Sequence, residues 1–233
     1  MAFDGPALQL GGVTRRFGNR WVLRGLDFEA EAGQAIALMG RNGSGKTTLL
    51  RVISTLLRPT KGSGRVFGCD LVADAPEIRE FVGFLGHNAG IYDDLTAEEN
   101  LRFSLRMAGL RPDDSAITRV LGDIGLLNDR HTRVRGFSAG MRRRLALGRL
   151  LLRPPKLLLL DEPYASFDQP GIDFVNRFAR RIVDEGGITI ISTHDLGRAH
   201  ATVDRVVHIA DGRLLEGTSP ELSPEEPIAR EVS

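Results

Sequence analysis

The first residues that could do chemistry form a glycine-rich loop, which reads GRNGSGKTT over residues 40–48. The spacing fits the pattern G-x-x-x-x-G-K-[ST], whose glycines let successive backbone N–H groups point inward at phosphate oxygens. In such a loop Lys46 would reach the β- and γ-phosphates of a nucleotide, and the Thr47 hydroxyl would ligate Mg²⁺. The pattern therefore predicts a site for a nucleoside triphosphate. We expect nucleotide contacts from Gly40, Asn42, Gly43, Ser44, Gly45, Lys46, Thr47 and Thr48.

A pair of carboxylates follows an apolar run further along the chain. Residues 157–160 read LLLL and are followed at once by Asp161 and Glu162. Asp161 suits coordination of Mg²⁺ through water, because this ion keeps several of its waters. Glu162 is placed to orient and deprotonate an attacking water as a general base. An acidic pair after a strand is often only a solvated turn, but its combination with a phosphate loop favours the functional interpretation.

The elements that must position these residues alternate between strands and helices. Residues 34–39 (QAIALM) are an uncharged apolar run, typical of a buried strand, and residues 47–57 are apolar at helical spacing. Residues 156–160 and 188–193 predict two further strands, separated by an amphipathic helix. Alternation of this kind predicts an α/β fold with a mostly parallel sheet that helices cover on both faces. The carboxyl ends of such strands meet at the ligand crevice, which would bring Asp161 to the nucleotide.

Two further regions flank this core. Residues 7–13 and 22–30 predict short antiparallel strands. The middle of the chain is helical, beginning with a capping box from Thr96 to Glu99. The predicted fold is a P-loop NTPase core with an N-terminal antiparallel β subdomain and an inserted α-helical subdomain. We expect one domain over residues 1–217, with its core at 1–86 and 152–217, the insertion at about 87–151, and a loosely ordered tail at 218–233.

Composition limits the partners and the compartment. The 233 residues include 31 Lys and Arg against 30 Asp and Glu, so a net charge of +1 gives no general attraction to nucleic acid. The single cysteine, Cys69, cannot form an internal disulfide, which fits a reducing compartment. No secretory signal is visible, and no apolar stretch approaches the ~20 residues needed to span a bilayer. Work at a membrane would therefore require another chain for the spanning part.

Together these motifs resemble the ATP-binding-cassette (ABC) family. Residues 137–141 (FSAGM) resemble its signature motif, usually Leu-Ser-Gly-Gly-Gln, with Ser138 and Gly140 matching and the other three residues departing. In the family this motif contacts the γ-phosphate bound on the other subunit, so that two cassettes close around two ATPs. The resemblance covers residue 17 to about residue 212 and implies ATP and Mg²⁺ as cofactors and a homodimer or cassette heterodimer.

Further roles come from the same resemblance. Asp168 matches the fixed acid of a loop that crosses the dimer interface, and His194 matches the switch histidine that contacts the γ-phosphate. Phe17 occupies the place of the aromatic residue that stacks on adenine, although a core phenylalanine is the alternative. The expected catalytic residues are therefore Glu162, His194 and Lys46.

One position departs from the family pattern. Where the family has a glutamine that contacts Mg²⁺ and the membrane partner, residues 84–91 read FLGHNAGI. Counting back from residue 95 puts His87 at that place, with Asn88 as the neighbouring candidate. The hypothesis is that His87, as a metal ligand, or Asn88 takes the linking role. A protonated imidazole would repel Mg²⁺, which would add pH sensitivity.

The same stretch bears on the cargo. With LTAEENL at residues 95–101, it is similar to ATPase subunits of the haem exporter in cytochrome c maturation. This similarity implies a subunit that powers a separate membrane-spanning protein from the cytoplasmic side of the inner membrane. The ATPase of another small-molecule or drug exporter, and a soluble cassette ATPase in DNA repair or translation, remain alternatives. A kinase, a GTPase and a non-hydrolysing regulator fit the motifs less well. The run Arg142 to Arg144 lacks the interleaved aromatics of a nucleic-acid groove, so no nucleic-acid partner is expected.

Overall fold

The larger of two sheets carries the predicted core. A computed structural model describes residues 5–86, 90–165 and 167–215. Across this sheet the strands run in the order β10 (Arg213–Leu215), β9 (Arg205–Ala210), β3 (Ala35–Met39), β8 (Ile188–Ser192), β7 (Leu157–Asp161) and β6 (Val82–Leu85). Neighbours are parallel except β10 with β9. Every residue of β7 and β8 is buried, as their mostly apolar sequences predict.

The smaller sheet is antiparallel and confirms the predicted N-terminal β subdomain. Its order is β2 (Arg20–Ala30), β1 (Leu8–Phe17), β4 (Lys61–Val66) and β5 (Cys69–Asp70). Leu8 and Leu10 of β1 point inward and belong to the same buried cluster as Leu49 and Leu50. The two sheets therefore share one core around the helix that follows the glycine-rich loop.

Seven α-helices complete the fold. They are α1 (Lys46–Ile53), α2 (Ala75–Phe81), α3 (Ala97–Met107), α4 (Asp114–Asp123), α5 (Ala139–Leu152), α6 (Gln169–Asp184) and α7 (Leu196–Ala199), and these are the α-helices within the described residues. The prediction of a helix over residues 47–57 was too long. Helix α1 ends at Ile53 because Thr55 takes a φ of 60°, which a right-handed helix cannot continue. None of the helices in the described ranges is long and apolar enough to cross a membrane.

Helices α3, α4 and α5 form the predicted helical insertion around their own buried cluster, which includes Leu101, Leu121 and Leu145. The capping box at the start of α3 is present: Thr96 N donates to Glu99 Oε2 at 2.8 Å, and Glu99 N donates to Thr96 Oγ1 at 3.2 Å. The insertion therefore has a core of its own, while α5 also leads back to β7 of the large sheet. The limits predicted for the domain and its tail stay predictions.

Candidate active site

The glycine-rich loop joins β3 to α1, and its glycines are held in conformations that favour glycine. Gly40 has a φ of 154°, and a Cβ there would lie 2.3 Å from Ile209 O. Gly45 has a φ of 117°, and a Cβ there would lie 3.0 Å from Leu23 Cδ2. A side chain at either position would therefore strike β9 or β2. The loop is pressed against both sheets while its opposite side lines a cavity of about 260 Å³.

Lys46 places its ammonium group inside the loop. The residue is 6% exposed, and Nζ donates to Gly40 O at 2.6 Å and to Arg41 O at 3.3 Å. The same Nζ lies 3.9 Å from Glu162 Oε1. A buried cation thus stands between the loop and the acid pair, where it would attract phosphate oxygens.

Asp161 is hydrogen-bonded both to the start of α1 and to the end of β8. It is buried at the end of β7, and its Oδ2 accepts a hydrogen bond from Thr47 Oγ1 at 2.8 Å. Its Oδ1 accepts from Ser192 Oγ at 2.6 Å. The two residues that the sequence suggests as Mg²⁺ ligands, Thr47 and Asp161, are therefore in direct contact.

Glu162 lies between a cation and an imidazole. Its Oε2 is 3.0 Å from His194 Nδ1, and His194 is 75% exposed. Its Oε1 is buried and makes no hydrogen bond within the described residues, although Lys46 is nearby. Its backbone has a φ of 47°, which is unusual for a residue with a side chain. This arrangement leaves one carboxylate oxygen available to accept a proton from a bound water.

These residues fit ATP and Mg²⁺. Ser44 Oγ is buried beside the loop without a hydrogen-bond partner among the described residues, as is the free oxygen of Glu162. Unpaired buried polar atoms are costly, so both positions favour a bound polar group. A hydroxyl and a carboxylate in contact, as in Thr47 and Asp161, are the hard oxygen donors that Mg²⁺ prefers. The cavity is lined by predicted nucleotide contacts, among them Asn42, Gly43, Gly45, Lys46, Thr47 and Thr48.

The other predicted site residues lie apart from the loop. Ser138 is the exposed N-cap of α5 and accepts from Met141 N at 3.2 Å, and Gly140 lies in the first turn of that helix. Asp168 caps α6 and accepts from Arg144 Nη2 at 3.0 Å. Among the described residues, neither Ser138 nor Asp168 lines the cavities beside the loop.

Phe17 and His87 complete the predicted set. Phe17 ends β1 and is 46% exposed, which argues against the core alternative, and the Arg15 guanidinium lies 4.7 Å from the centre of its ring. His87 and its neighbour Asn88 lie outside the described residues, so their suggested roles stay predictions.

Ser192 is a site residue that the sequence reasoning missed. Besides its bond to Asp161, its hydroxyl accepts from Glu162 N at 3.1 Å, and the residue is fully buried. It thus holds both members of the acid pair. Ser192 stands two residues before His194 in the sequence. Its contact with Asp161 can be recognised only when the pairing of Asp161 with Ser192 between β7 and β8 is known.

This architecture defines a P-loop nucleoside triphosphatase: β3 runs through the phosphate loop into α1, and the acid pair follows the strand two places away in the same sheet. The model of a family described as ABC transporter matches residues 23–165, more than half of the chain. The chain belongs to this family and is an ATP-binding, ATP-hydrolysing cassette.

Its relatives include a cytochrome c biogenesis export protein and a daunorubicin resistance protein. It is 42% identical to the cytochrome c biogenesis ATP-binding export protein CcmA 2 of Cupriavidus metallidurans, over 78% of this chain and 86% of the relative. It is 36% identical to the daunorubicin resistance ATP-binding protein DrrA3 of Streptomyces coeruleorubidus, over 94% of this chain and 70% of the relative. Among solved structures, the ATP-binding cassette MJ0796, in a dimeric post-hydrolysis state with ADP and Pi, matches with a TM-score of 0.79 at 23% identity. That match covers 89% of this chain and 96% of the other, and it supports the predicted fold.

Proposed function

We propose that this cassette hydrolyses ATP with Glu162 as its general base and thereby powers a separate membrane-spanning transporter. The observation that carries the catalytic role is the position of the Glu162 carboxylate: one oxygen contacts His194, and the other is buried and unpaired beside Lys46. A general base needs a free acceptor oxygen next to the phosphate site, and this oxygen meets that requirement.

The remaining chemistry is positioning and stabilisation of charge. Lys46 would bind the β- and γ-phosphates. When its ammonium group moves away from the carbonyls of Gly40 and Arg41, its N–H donors become free to bind the phosphate oxygens. Thr47 and Asp161 would hold Mg²⁺, which when bound neutralises the developing phosphate charge. His194 donates to Glu162 or to the γ-phosphate, according to its tautomer. No covalent intermediate is required.

We further propose that the working unit contains two cassettes, either two copies of this chain or this chain with a related one. The support is the exposure of Ser138 at the N-terminus of the 14-residue helix α5, away from the phosphate loop of its own chain. A helix N-terminus with free N–H groups favours an anion, and the γ-phosphate of a second subunit fits this chemistry. Gly140 and Asp168 would contribute to the same interface, and Phe17 would stack on adenine.

We also propose that the membrane partner docks on the helical insertion and on residues 86–94, and that the chain works on the cytoplasmic side of the inner membrane. The leading cargo is haem for cytochrome c biogenesis. Its support is the 42% identity to the cytochrome c biogenesis relative, against 36% for the daunorubicin resistance relative, together with the sequence GHNAG at residues 86–90. Export of a drug-like molecule is the second candidate, supported by the second of these relatives.

Deletion of the gene in its own host, followed by complementation, separates the two. Haem staining of c-type cytochromes should be lost on deletion, restored by the wild-type chain, and not restored by Glu162→Gln. Affinity-tagged chain should also retain a membrane protein encoded beside it after detergent extraction. Normal cytochromes in the deletion strain, with a new sensitivity to an antibiotic, would instead support the drug-export function.

A further inference from the structure

A buried arginine on helix α5, which follows the signature motif, contacts the main chain of residues 161–163. Arg143, in the second turn of α5, is 9% exposed. Its Nη2 donates to Asp161 O at 2.8 Å and to Glu162 O at 2.5 Å, and its Nε donates to Pro163 O at 3.1 Å. The guanidinium therefore holds three consecutive carbonyl groups at the point where β7 ends.

The two bonds from Nη2 control the backbone on both sides of Glu162. The carbonyl of Asp161 belongs to the peptide before Glu162, and the carbonyl of Glu162 belongs to the peptide after it. Successive residues alternate in direction along a strand, so two adjacent carbonyls do not usually converge on one nitrogen. They converge here because Glu162 has a φ of 47°. Arg143 thus bridges two carbonyl oxygens that this left-handed conformation brings together, while Glu162 O also accepts from Ala165 N at 3.4 Å. Such a conformation is costly for a residue with a Cβ.

The charge of Arg143 is consistent with a role beyond packing. Burial lowers the pKa of the guanidinium, while the negative charges of Asp161 and Glu162 act in the opposite direction. A buried cation is costly unless it is well hydrogen-bonded and compensated by charge. An apolar side chain could fill the space but could not hold the three carbonyls.

We propose that Arg143 is a positioning residue that fixes the backbone of Glu162 and so aims its carboxylate at the attacking water. This proposal rests on the proposed role of Glu162 as general base. Because Ser138 caps the same helix, these hydrogen bonds also connect the helix that would face the second ATP to the backbone of Glu162 in its own chain.

The test measures steady-state ATP hydrolysis by the full chain and three variants. Arg143→Met removes every donor, Arg143→Lys restores a cationic donor, and Arg181→Met makes the same change at an exposed pair with Glu185 on α6 as a control. For Arg143→Met we expect kcat to fall by up to about 100-fold, the loss that a displacement of about 1 Å can cause. The KM for ATP should stay within about twofold of wild type, because the variant leaves the nucleotide contacts in place. Arg143→Lys should recover part of the lost kcat, and Arg181→Met should match wild type.

A double variant separates positioning from general damage. If Arg143 acts through Glu162, adding Arg143→Met to Glu162→Gln should lower the residual rate no further. A wild-type kcat for Arg143→Met, or a multiplicative loss in the double variant, would overturn the proposal. A parallel rise in KM without recovery by lysine would do the same.

Two further outcomes remain interpretable. If Arg143→Met does not fold, Arg143→Leu, which also removes every donor, replaces it, and a wild-type kcat for that variant is the contradicting result. If Glu162→Gln itself hydrolyses ATP normally, the proposed general base fails, whereas an inactive Glu162→Gln beside a fully active Arg143→Met refutes the inference about Arg143 alone.

Discussion

Replacing Gly43 with alanine separates the phosphate-binding role of the loop from the conformational demands of its glycines. Gly43 has a φ of 81°, and a Cβ built there meets no atom within 4 Å. Gly186, in the turn between α6 and β8, has a φ of 85° and equally open space. Only Gly43 lines the cavities beside the phosphate loop. The two positions are therefore a matched pair.

The stability of the protein without nucleotide should respond alike to both changes. A left-handed φ costs an alanine about 1–2 kcal/mol, and neither new methyl group strikes a neighbour. The free energy of unfolding in urea should therefore fall by about this amount for Gly43→Ala and for Gly186→Ala.

Nucleotide binding should respond to one change only. At residue 43 an added methyl group enters the space beside the loop, or the peptide rotates and its N–H turns away from the phosphate. Loss of one hydrogen bond to a charged group is worth about 1.5–3 kcal/mol, so the Kd should rise about 10- to 150-fold. Calorimetric titration with a non-hydrolysable ATP analogue measures this. Equal Kd values for Gly43→Ala and Gly186→Ala would refute the phosphate-loop assignment.

Two other predictions concern the acid pair and the helical insertion. Ser192→Ala removes a hydrogen bond to the Asp161 carboxylate and should lower the free energy of unfolding by about 1.5–3 kcal/mol. The control Ser54→Ala loses a bond to a neutral carbonyl and should lower it by about 0.5–1.5 kcal/mol. Equal losses of unfolding free energy in urea denaturation would contradict this prediction. For Glu98, burial alone would raise the pKa, but hydrogen bonds from Arg130 and Arg102 outweigh burial and lower it below its usual 4.5. Because the pKa of Glu98 is lower in the folded state, wild type should be more stable than Glu98→Gln above about pH 4.5. This difference in unfolding free energy should disappear as the pH falls below that value. A difference that does not change with pH would contradict a stabilising role for the ion pairs of Glu98.

Sequence patterns predicted the parts of the fold that bury continuous apolar runs. Strands β7 and β8 are mostly apolar and were found, whereas β9 includes Arg205 and His208, and β10 has three residues. Charged and polar residues interrupt β9, and β10 is a short edge strand, so neither was distinguished from a loop. The end of α1 was misplaced because the left-handed Thr55 leaves no trace in apolar spacing.

The site was predictable where residues are close in sequence and was not where contacts depend on tertiary packing. Lys46 and Thr47 follow from the loop motif, and Glu162 follows from its strand. The contact of Ser192 with Asp161 requires the register between β7 and β8. The contact of Arg143 with the same segment requires knowledge of how the insertion packs back on the core, which spacing does not provide.

The most direct test of the central claim compares ATP hydrolysis by wild type, Glu162→Gln and Glu185→Gln, the last being an exposed carboxylate at the end of α6. General-base catalysis typically contributes about 10²- to 10⁴-fold. Glu162→Gln should therefore lose at least about 100-fold in kcat, while its KM for ATP stays close to wild type and Glu185→Gln is unaffected. A Glu162→Gln variant that hydrolyses ATP at the wild-type rate would contradict the account.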